Sequence, residues 1–412
     1  MNITFQLTYD CNLRCKYCYQ HNKHAETLDI KDAYLFLDKL ALFLTHQEEN
    51  IFSTYVIDRE DVLKENFMFI FFGGEATLEL MKIDLICNHF HELCINNNLQ
   101  EYWDKFVCRI DTNGTTYTNN PELDALKEKY KGHLQFAFTI DGCKEAHDLN
   151  RVYVNGQGSF DKVLEGIEQY KKDFNTPKPP QNKITFSEAT VPYMVQSIET
   201  LWNLGYRGFL ASYDEFHQCT KEETEHFYEA LVKTIDFLLE KDPNTLFSCV
   251  NDKEYIPGRR HSLCGSHGHS ITISPGGYIT TCTTMTPSTI EGEDAPLGIL
   301  GDVHNGITNT ALLDYMRNQI FMDPKQCKNC PIKRGCDGCA ALNLHKTGYL
   351  FLDWHNCGST IAEARAQLYL KKRIEELGLQ DKVDYWDKIK DNAYDPDYDY
   401  LINSVFNKKD TK

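Results

Sequence analysis

The stretch ITFQLTYDCNLRCKYCYQ, residues 3–20, joins a predicted β-strand to a segment with three cysteines, residues 9–20, which we call the cysteine loop. Apolar and polar residues alternate in its first part, a pattern typical of a strand. Cys11, Cys15 and Cys18 then follow with C-x3-C-x2-C spacing. Three thiolates on one short loop can hold three irons of a [4Fe–4S] cluster. The fourth iron has no protein ligand, so a small molecule can chelate it.

The alternation of strands and helices continues to about residue 240. Five further runs have the character of strands, at 67–74, 106–114, 134–141, 183–190 and 206–214. Segments with helical apolar spacing alternate with them, such as 31–45, 78–97, 158–172, 194–204 and 221–240. Six consecutive βα units predict a parallel sheet, either doubly wound or curled into a partial barrel.

Polar or glycine-rich stretches follow four of these predicted strands. They are GGEAT (73–77), DTNGT (111–115), TIDG (139–142) and SEAT (187–190). Functional groups on a parallel sheet collect at the carboxyl ends of its strands. The pattern therefore predicts that these stretches lie at the same edge of the sheet as the cysteine loop.

The cysteine loop resembles the signature of the radical S-adenosylmethionine (radical SAM) enzymes, including the aromatic Tyr17 before the third cysteine. In that family, the amine and carboxylate of S-adenosylmethionine bind the open iron. An electron from the cluster then cleaves the cofactor, and the resulting 5′-deoxyadenosyl radical abstracts a hydrogen atom from the substrate. The resemblance implies an oxidoreductase with an α/β fold, a partial (β/α)6 TIM-like barrel, and a flavodoxin- or ferredoxin-type electron donor.

Other loops are similar to motifs of the same family, in the same order. FFGGEAT (71–77) resembles its GGE motif, which implies that Gly73, Gly74 and Glu75 hold the methionyl ammonium. Ala76 stands where the family usually has proline. The other cofactor contacts that the resemblance implies are Tyr17, Asn113, Thr139 and Arg151, with His147 also at the family's spacing.

A second group of cysteines lies in a segment rich in Gly, Cys, His and Pro, residues 250–357. It resembles the SPASM domain, which holds auxiliary iron–sulfur clusters in peptide-modifying radical SAM enzymes. The resemblance implies two auxiliary [4Fe–4S] clusters, and therefore three clusters in all. The implied ligands are Cys264, Cys282, Cys327, Cys330, Cys336, Cys339 and Cys357.

These seven cysteines are one fewer than the eight ligands that two [4Fe–4S] clusters need. The family's topology implies that one cluster lies on Cys327, Cys330, Cys336 and Cys357, and the other on Cys264, Cys282 and Cys339. Cys336 and Cys339 are separated by two residues where the family usually has three. The eighth ligand is Cys249, a histidine among His261, His267 and His269, or no protein group. We adopt the third alternative as the working interpretation, in which one iron of this auxiliary cluster has no protein ligand.

Composition limits the other classes of function. The chain has 412 residues, 16 cysteines and a net charge of −17. This acidic balance disfavours nucleic acid as a partner, because phosphate binding needs a basic surface. A signal peptide and a membrane-length apolar run are both lacking, which predicts a cytoplasmic protein with no membrane partner. Cysteines that follow no ligand spacing are predicted core residues: Cys87, Cys94, Cys108, Cys143 and Cys219.

Radical SAM enzymes with this two-cluster extension act mostly on peptides or protein side chains, and two subclasses fit the length of this chain. One forms formylglycine in sulfatases and places an aspartate base after the cysteine of a G-x4-C element, where this chain has Thr283 and Thr284. The other matures ribosomally synthesised precursor peptides by forming thioether or carbon-based crosslinks. Residues 264–282 look most like the second subclass, which together with the missing ligand predicts a peptide maturase.

A function of another class is a non-catalytic interaction protein stapled by zinc. The two C-x2-C pairs within 327–339 suit a structural zinc site, although seven cysteines exceed the needs of one zinc ion. On the radical SAM interpretation we predict three parts. They are a partial barrel over 1–240, a SPASM domain over 241–360, and a closing helix with an acidic aromatic tail over 361–412.

Overall fold

The fold is seen in a computed structural model that describes most of the chain. The described residues are 2–47, 67–251, 270–290, 297–318, 330–332, 339–348, 356–393 and 395–406. Three predicted cluster ligands, Cys264, Cys327 and Cys336, lie outside these residues, as do the three histidines of 261–269.

Strands and helices alternate through the first half of the chain. Within the described residues the strands are β1 (Asn2–Gln6), β2 (Phe67–Phe72), β3 (Phe106–Thr112), β4 (Leu134–Thr139), β5 (Gln181–Phe186), β6 (Gly208–Phe209), β7 (Ala211–Tyr213), β8 (Leu246–Phe247), β9 (Ser270–Ser274), β10 (Tyr278–Thr280), β11 (Gly301–Asp302) and β12 (Gly306–Ile307). The α-helices are α1 (Ile30–Leu44), α2 (Leu80–Asn96), α3 (Gln100–Asp104), α4 (Pro121–Lys129), α5 (Lys144–Asn150), α6 (Phe160–Asp173), α7 (Met194–Asn203), α8 (Lys221–Lys241), α9 (Thr310–Asn318), α10 (Ala340–Thr347), α11 (Cys357–Glu376), α12 (Trp386–Asn392) and α13 (Tyr398–Phe406).

One large sheet organises these elements, in the order β12-β11-β10-β9-β1-β2-β3-β4-β5-β7. Neighbouring strands from β1 to β7 run parallel, with Asn2 opposite Met68 where β1 meets β2. β9 pairs parallel with the other edge of β1, and β10 to β12 continue from it as an antiparallel ribbon. The predicted α/β class with a large parallel sheet is confirmed, and the sheet continues across the predicted boundary at residue 240.

The sixth predicted strand, at 206–214, forms two short strands instead of one. β7 pairs with β5, whereas β6 pairs with β8 in a separate two-stranded sheet, and Leu210 between them is half exposed. The Ser248 hydroxyl donates to the Ala211 carbonyl at 2.6 Å and accepts from the Ala211 amide at 2.8 Å. At the break, the backbone amide and carbonyl of Ala211 are therefore hydrogen-bonded by the Ser248 side chain and not by a neighbouring strand.

Aromatic side chains fill the core between the sheet and the helices. Phe67, Phe69 and Phe71 of β2 are at most 1% exposed and contact Phe5 of β1 or one another. Burying one such ring contributes roughly 1.5–3 kcal/mol. The helix α1 starts at an N-cap, where the Asp29 carboxylate accepts from the Lys31 amide at 2.9 Å.

The five cysteines without ligand spacing are core residues, as predicted. Each is at most 2% exposed, namely Cys87, Cys94, Cys108, Cys143 and Cys219. The sulfurs of the first and third of these lie 3.8 Å apart between α2 and β3. Buried thiols of this kind behave as small apolar groups.

The predicted closing helix is α11, which packs along α8. Arg373 bridges to Asp236 at 3.0 Å and Arg365 to Glu225 at 2.7 Å. The acidic tail also docks, because α13 contributes Leu401 to a small apolar group on α11. Within the ranges described above, no helix has both the length and the apolar character needed to cross a membrane.

Candidate cofactor site

The cysteine loop follows β1 and lies at the carboxyl ends of the parallel strands. Cys11 is buried, whereas Cys15 and Cys18 are half-buried, and all three thiols are free of disulfides. The Cys18 amide donates to the Cys15 carbonyl at 3.2 Å, which closes a tight turn between these two cysteines. The Leu13 amide donates to the Cys11 sulfur at 3.4 Å. Three thiols are thus carried by one compact loop.

Two glycines bring the end of β2 into direct contact with the backbone before the first cysteine. A Cβ on Gly74 would lie 2.0 Å from the carbonyl oxygen of Asp10, and a Cβ on Gly73 would lie 2.8 Å from that of Thr8. The Gly74 and Glu75 amides donate to those two carbonyls, each at 2.9 Å. A side chain has no room at either position, so the approach requires glycine.

The carboxylate of Glu75 joins the loop after β2 to the loop after β3. Its Oε1 accepts from the Thr112 hydroxyl at 2.6 Å, from the Thr77 hydroxyl at 2.6 Å and from the Thr77 amide at 3.1 Å. Its Oε2 accepts from the Asn113 amide at 2.8 Å. These donors offset the cost of burying the charge. Because Oε2 accepts a single hydrogen bond from the described residues, it keeps capacity for an ammonium donor.

Asn113 lies in a closed ring of side-chain hydrogen bonds with the cysteine loop. Its amide nitrogen donates to the Asn12 Oδ1 at 2.7 Å, and the Asn12 amide nitrogen donates to the Thr115 hydroxyl at 2.8 Å. The Thr115 hydroxyl donates to the Asn113 Oδ1 at 2.6 Å and completes the ring. The ring fixes the cysteine loop against the end of β3. Thr139, another implied contact, is the half-buried last residue of β4.

A buried charge network links the cysteine loop to the end of β4. The Arg151 guanidinium donates to the Tyr17 hydroxyl at 2.8 Å, and that hydroxyl donates to the Asp141 Oδ2 at 2.5 Å. The Thr185 amide donates to the other carboxylate oxygen at 3.1 Å. Burial raises the pKa of the Asp141 carboxyl, and the Arg151 guanidinium opposes that shift. The sequence interpretation missed Asp141, although it lies in the TIDG stretch that was singled out.

His147 is hydrogen-bonded to the backbone on both sides of this network. Its Nδ1 accepts from the Asp141 amide at 3.2 Å, so its Nε2 carries the proton and faces the Ser159 hydroxyl at 2.9 Å. That hydroxyl donates to the Arg151 carbonyl at 2.8 Å. Burial lowers the pKa of His147 well below its usual range, which keeps the ring neutral. The histidine therefore positions both charged partners.

Replacing Asp141 by asparagine is expected to lower the free energy of unfolding by about 3–5 kcal/mol, because it leaves the buried Arg151 without its counter-charge. The matched control is Asp161→Asn, since that carboxylate is exposed and pairs with Lys144 at the surface. Loss of the Asp161 charge should lower the free energy of unfolding much less than loss of the Asp141 charge. Denaturant titration of the two variants compares them, and equal destabilisation would show that the network carries no buried charge pair.

The described cysteines of the second group contact two different apolar groups. Cys282 and Cys339 pack against the main core, whereas Cys330 and Cys357 pack against the small group that contains Ile332. This division parallels the one that the resemblance implies. All four thiols are half-buried and free of disulfides. Their assignment as cluster ligands stays a prediction.

Cys249, a candidate for the eighth ligand, is 1% exposed, and its thiol donates to the Ala211 carbonyl at 3.4 Å. This environment is typical of a buried apolar thiol.

The second cysteine region packs directly on the cysteine loop. The Tyr19 hydroxyl lies 2.9 Å from the Thr283 hydroxyl, next to Cys282. The Asn22 amide donates to the Ser288 carbonyl at 3.2 Å. Thr283, one of the two residues after Cys282, is therefore held against the cysteine loop.

No family model matches the chain, but curated relatives do. It is 28% identical over 169 residues to a cysteine-type anaerobic sulfatase-maturating enzyme of Clostridium novyi, which is 40% of each chain. It is 26% identical over 206 residues to an uncharacterized protein of Methanocaldococcus jannaschii, covering 50% of this chain and 60% of that one. The sulfatase-maturating enzyme of Clostridium perfringens is 28% identical over 360 residues, which is 80% of this chain and 85% of the relative. The matched segments thus span 40% and 60% of the length of the first two relatives.

Solved structures share the fold. The structure of anSMEcpe with bound AdoMet and Cp18Cys peptide has a TM-score of 0.63, covering 92% of this chain and 99% of that chain at 18% identity. Streptococcus suis SuiB bound to the precursor peptide SuiA has a TM-score of 0.53, covering 86% of this chain and 75% of that chain at 12% identity. At these identities the likeness shows the fold alone.

Proposed function

We propose that this chain, whose resemblance to the radical SAM enzymes is confirmed by its relatives and its fold, is an oxidoreductase that crosslinks a ribosomally synthesised precursor peptide. The product would contain a thioether or a carbon-based bond. One observation carries the radical chemistry: Gly74 packs on the Asp10 backbone directly before the first cysteine. The GGE motif and the three thiols therefore form one site. A structural zinc site would not need the GGE motif beside its cysteines.

The residues of this site fit a [4Fe–4S] cluster with S-adenosylmethionine on its open iron. Three thiols on one loop supply three ligands, and two of them are partly accessible. Burial raises the pKa of the Cys11 thiol to about 11, so iron must displace its proton on binding. When bound, the cluster and S-adenosylmethionine supply the one-electron chemistry that starts hydrogen-atom abstraction from the substrate.

The chain's own residues would hold the cofactor in a fixed orientation. The Glu75 carboxylate suits the methionyl ammonium, as does the backbone of Gly73 and Gly74, which lies against the backbone that precedes the first cysteine. Arg151 keeps Tyr17 in place through a direct hydrogen bond. We assign the remaining contacts, with the ribose and carboxylate, to the implied residues Asn113 and Thr139.

We extend the proposal to the rest of the chain. Residues 1–240 would form the radical SAM barrel, 241–360 the SPASM domain, and 361–412 the closing segment. Two auxiliary [4Fe–4S] clusters would lie on the seven cysteines of the second group, one of them with an open iron. A substrate thiolate could bind that iron, and a flavodoxin- or ferredoxin-type protein would deliver electrons to the first cluster.

The residues after Cys282 favour crosslinking over formylglycine formation. The Thr283 hydroxyl is engaged with Tyr19 at 2.9 Å, and the next residue is Thr284. A threonine hydroxyl is too weakly acidic to exchange protons as an aspartate does. Since three matched relatives are sulfatase-maturating enzymes, formylglycine formation is the second candidate.

Mass spectrometry of the peptide product distinguishes the two candidates. The reconstituted chain is incubated anaerobically with S-adenosylmethionine, dithionite and the small peptide encoded beside its gene. Joining a thiol sulfur to carbon removes one hydrogen from each partner, so we expect a peptide lighter by two hydrogens. A cysteine converted to an aldehyde supports the second candidate instead. Formation of 5′-deoxyadenosine with an unchanged peptide contradicts crosslinking of that peptide.

A further inference from the structure

The large sheet has one face packed against helices and an opposite face that is partly accessible. On β2, the rings of Phe67 and Phe69 lie 5.2 and 4.8 Å from that of Phe90 on α2. Successive side chains of a strand point to opposite faces, so the alternate residues of β2 point away from this helix. Those residues are half-buried, namely Met68, Ile70 and Phe72. We call the face that carries them the open face.

The register of the parallel strands carries the open face from β2 to β5. The paired residues are Ile70 with Arg109, Asp111 with Ala137, and Thr139 with Lys183. Paired residues share a face, as do residues two apart on one strand, so all six belong to the open face. Thr139 is an implied contact of the cofactor. Lys183 therefore lies beside the proposed cofactor site, on the next strand of the sheet.

Hydrogen bonds hold this part of β5 in place relative to the cysteine loop. The Thr185 amide donates to the Asp141 carboxylate at 3.1 Å, and that carboxylate accepts from Tyr17 of the cysteine loop. Two residues before Thr185, the Lys183 ammonium donates to the hydroxyl of Ser212 on β7 at 3.0 Å. Lys183 is thus a positioned side chain on a strand that is tied to the cofactor network.

The Lys183 ammonium has no counter-charge in the described part of the chain. Among those residues, no carboxylate lies within ion-pair distance of it, and its hydrogen-bond partner is a neutral hydroxyl. Nearby acidic groups have other partners, because Asp111 pairs with Arg109 at 2.6 Å and Arg151 is the counter-charge of Asp141. An ammonium has three donors, so two remain for a ligand. Since Lys183 is half-buried, water would screen an anion bound there less than at an exposed lysine.

A carboxylate of the substrate suits this position. The proposed function already assigns the carboxylate of the cofactor to contacts on other strands. The chain has a net charge of −17, so most of its surface repels an acidic peptide. A cation on the open face would attract an acidic group of that peptide and hold it at one place. Lysine presents a compact charge, which accepts a carboxylate in several orientations.

We propose that Lys183 binds a carboxylate of the precursor peptide, either an acidic side chain or the terminal carboxylate. This contact fixes which part of the peptide lies beside the cofactor. The inference rests on the proposed function, since it takes the substrate to be a peptide. Lys183 acts in binding only and exchanges neither a proton nor an electron.

Calorimetric titration with the small peptide encoded beside the gene tests this contact as a double-mutant cycle. The protein carries its clusters and S-adenosylmethionine but no reductant, so no turnover occurs. The peptide is used in three forms: unchanged, with every Asp and Glu replaced by its amide, and with an amidated C-terminus. We expect Lys183→Met to bind the unchanged peptide at least about tenfold more weakly, and Lys183→Arg to keep most of the affinity. The form that lacks the bound carboxylate should be insensitive to Lys183→Met, which tells an acidic side chain from the terminus.

The matched control is Lys171→Met. Lys171 is also half-buried, but it lies on α6 and pairs with Glu168 at 2.9 Å. Its peptide affinity should stay within about threefold of the wild type. A peptide that does not bind the wild type, unchanged affinity in Lys183→Met, or an equal loss for all three peptide forms overturns the inference.

Two further results separate this contact from the cofactor and from the chemistry. If Lys183→Met weakens binding of S-adenosylmethionine tenfold and leaves peptide affinity unchanged, the lysine serves the cofactor and the inference is overturned. The cycle is measured without turnover. A peptide that binds as expected but keeps its mass after the complete reaction therefore contradicts crosslinking alone and supports the role of Lys183 in binding.

Discussion

Replacing Cys15 by alanine is expected to remove the cluster of the cysteine loop, with a loss of about four irons per chain. The half-buried thiol of Cys15 lies on the same turn as that of Cys18, so a cluster bound there would lose one of the three ligands on the cysteine loop. Two thiolates on a short loop hold such a cluster poorly. Iron and sulfide analysis after anaerobic reconstitution measures the effect.

The control for this variant is Cys94→Ala. Cys94 lies in α2, is fully buried and follows no ligand spacing, so the variant should keep all of its iron. It should lose only about 1 kcal/mol of stability, the scale of a small cavity. Equal iron loss in both variants, or full iron in Cys15→Ala, would contradict the assignment of the cysteine loop.

Replacing Gly74 by alanine is expected to weaken S-adenosylmethionine binding by at least about tenfold, or about 1.4 kcal/mol. The new methyl group would lie 2.0 Å from the Asp10 carbonyl oxygen, so the loop after β2 must move away from the cysteine loop. Overpacking of this kind typically costs about 1–3 kcal/mol. Calorimetric titration of the reconstituted protein with S-adenosylmethionine measures the change.

Gly208→Ala is the matched control for Gly74→Ala. At Gly208 the nearest atom to an added Cβ is 3.8 Å away, on Leu246, which is ordinary contact. The position is in a strand, so alanine should leave cofactor binding unchanged and stabilise the fold slightly. If both variants bind S-adenosylmethionine as the wild type does, the contact of Gly74 with the cysteine loop has no part in binding.

Much of the fold could be predicted, because apolar periodicity reports which side chains face a core. The helix α4 shows weak apolar periodicity, but Asn120 and Pro121 form a clear start signal, an N-cap followed by proline. The pairing of β9 with β1 could not be predicted from periodicity, since it joins segments about 270 residues apart. The break in the sixth strand depends on Ser248, a side chain from a distant segment.

The candidate site likewise has a part that could be predicted from the sequence and a part that could not. The cysteines and the GGE motif are visible because their spacing within one segment is itself the signal. In the network of Tyr17, Asp141 and Arg151, Tyr17 is 124 residues from Asp141 along the chain, so spacing within one segment does not reveal their contact.

The most direct test of the radical SAM assignment is the formation of 5′-deoxyadenosine by the reconstituted chain with S-adenosylmethionine and dithionite, without peptide. We predict that the wild type and Cys94→Ala release 5′-deoxyadenosine, and that Cys15→Ala releases none. A colourless wild-type protein that contains zinc, lacks iron and releases no 5′-deoxyadenosine would contradict the assignment and favour a zinc-stapled interaction protein.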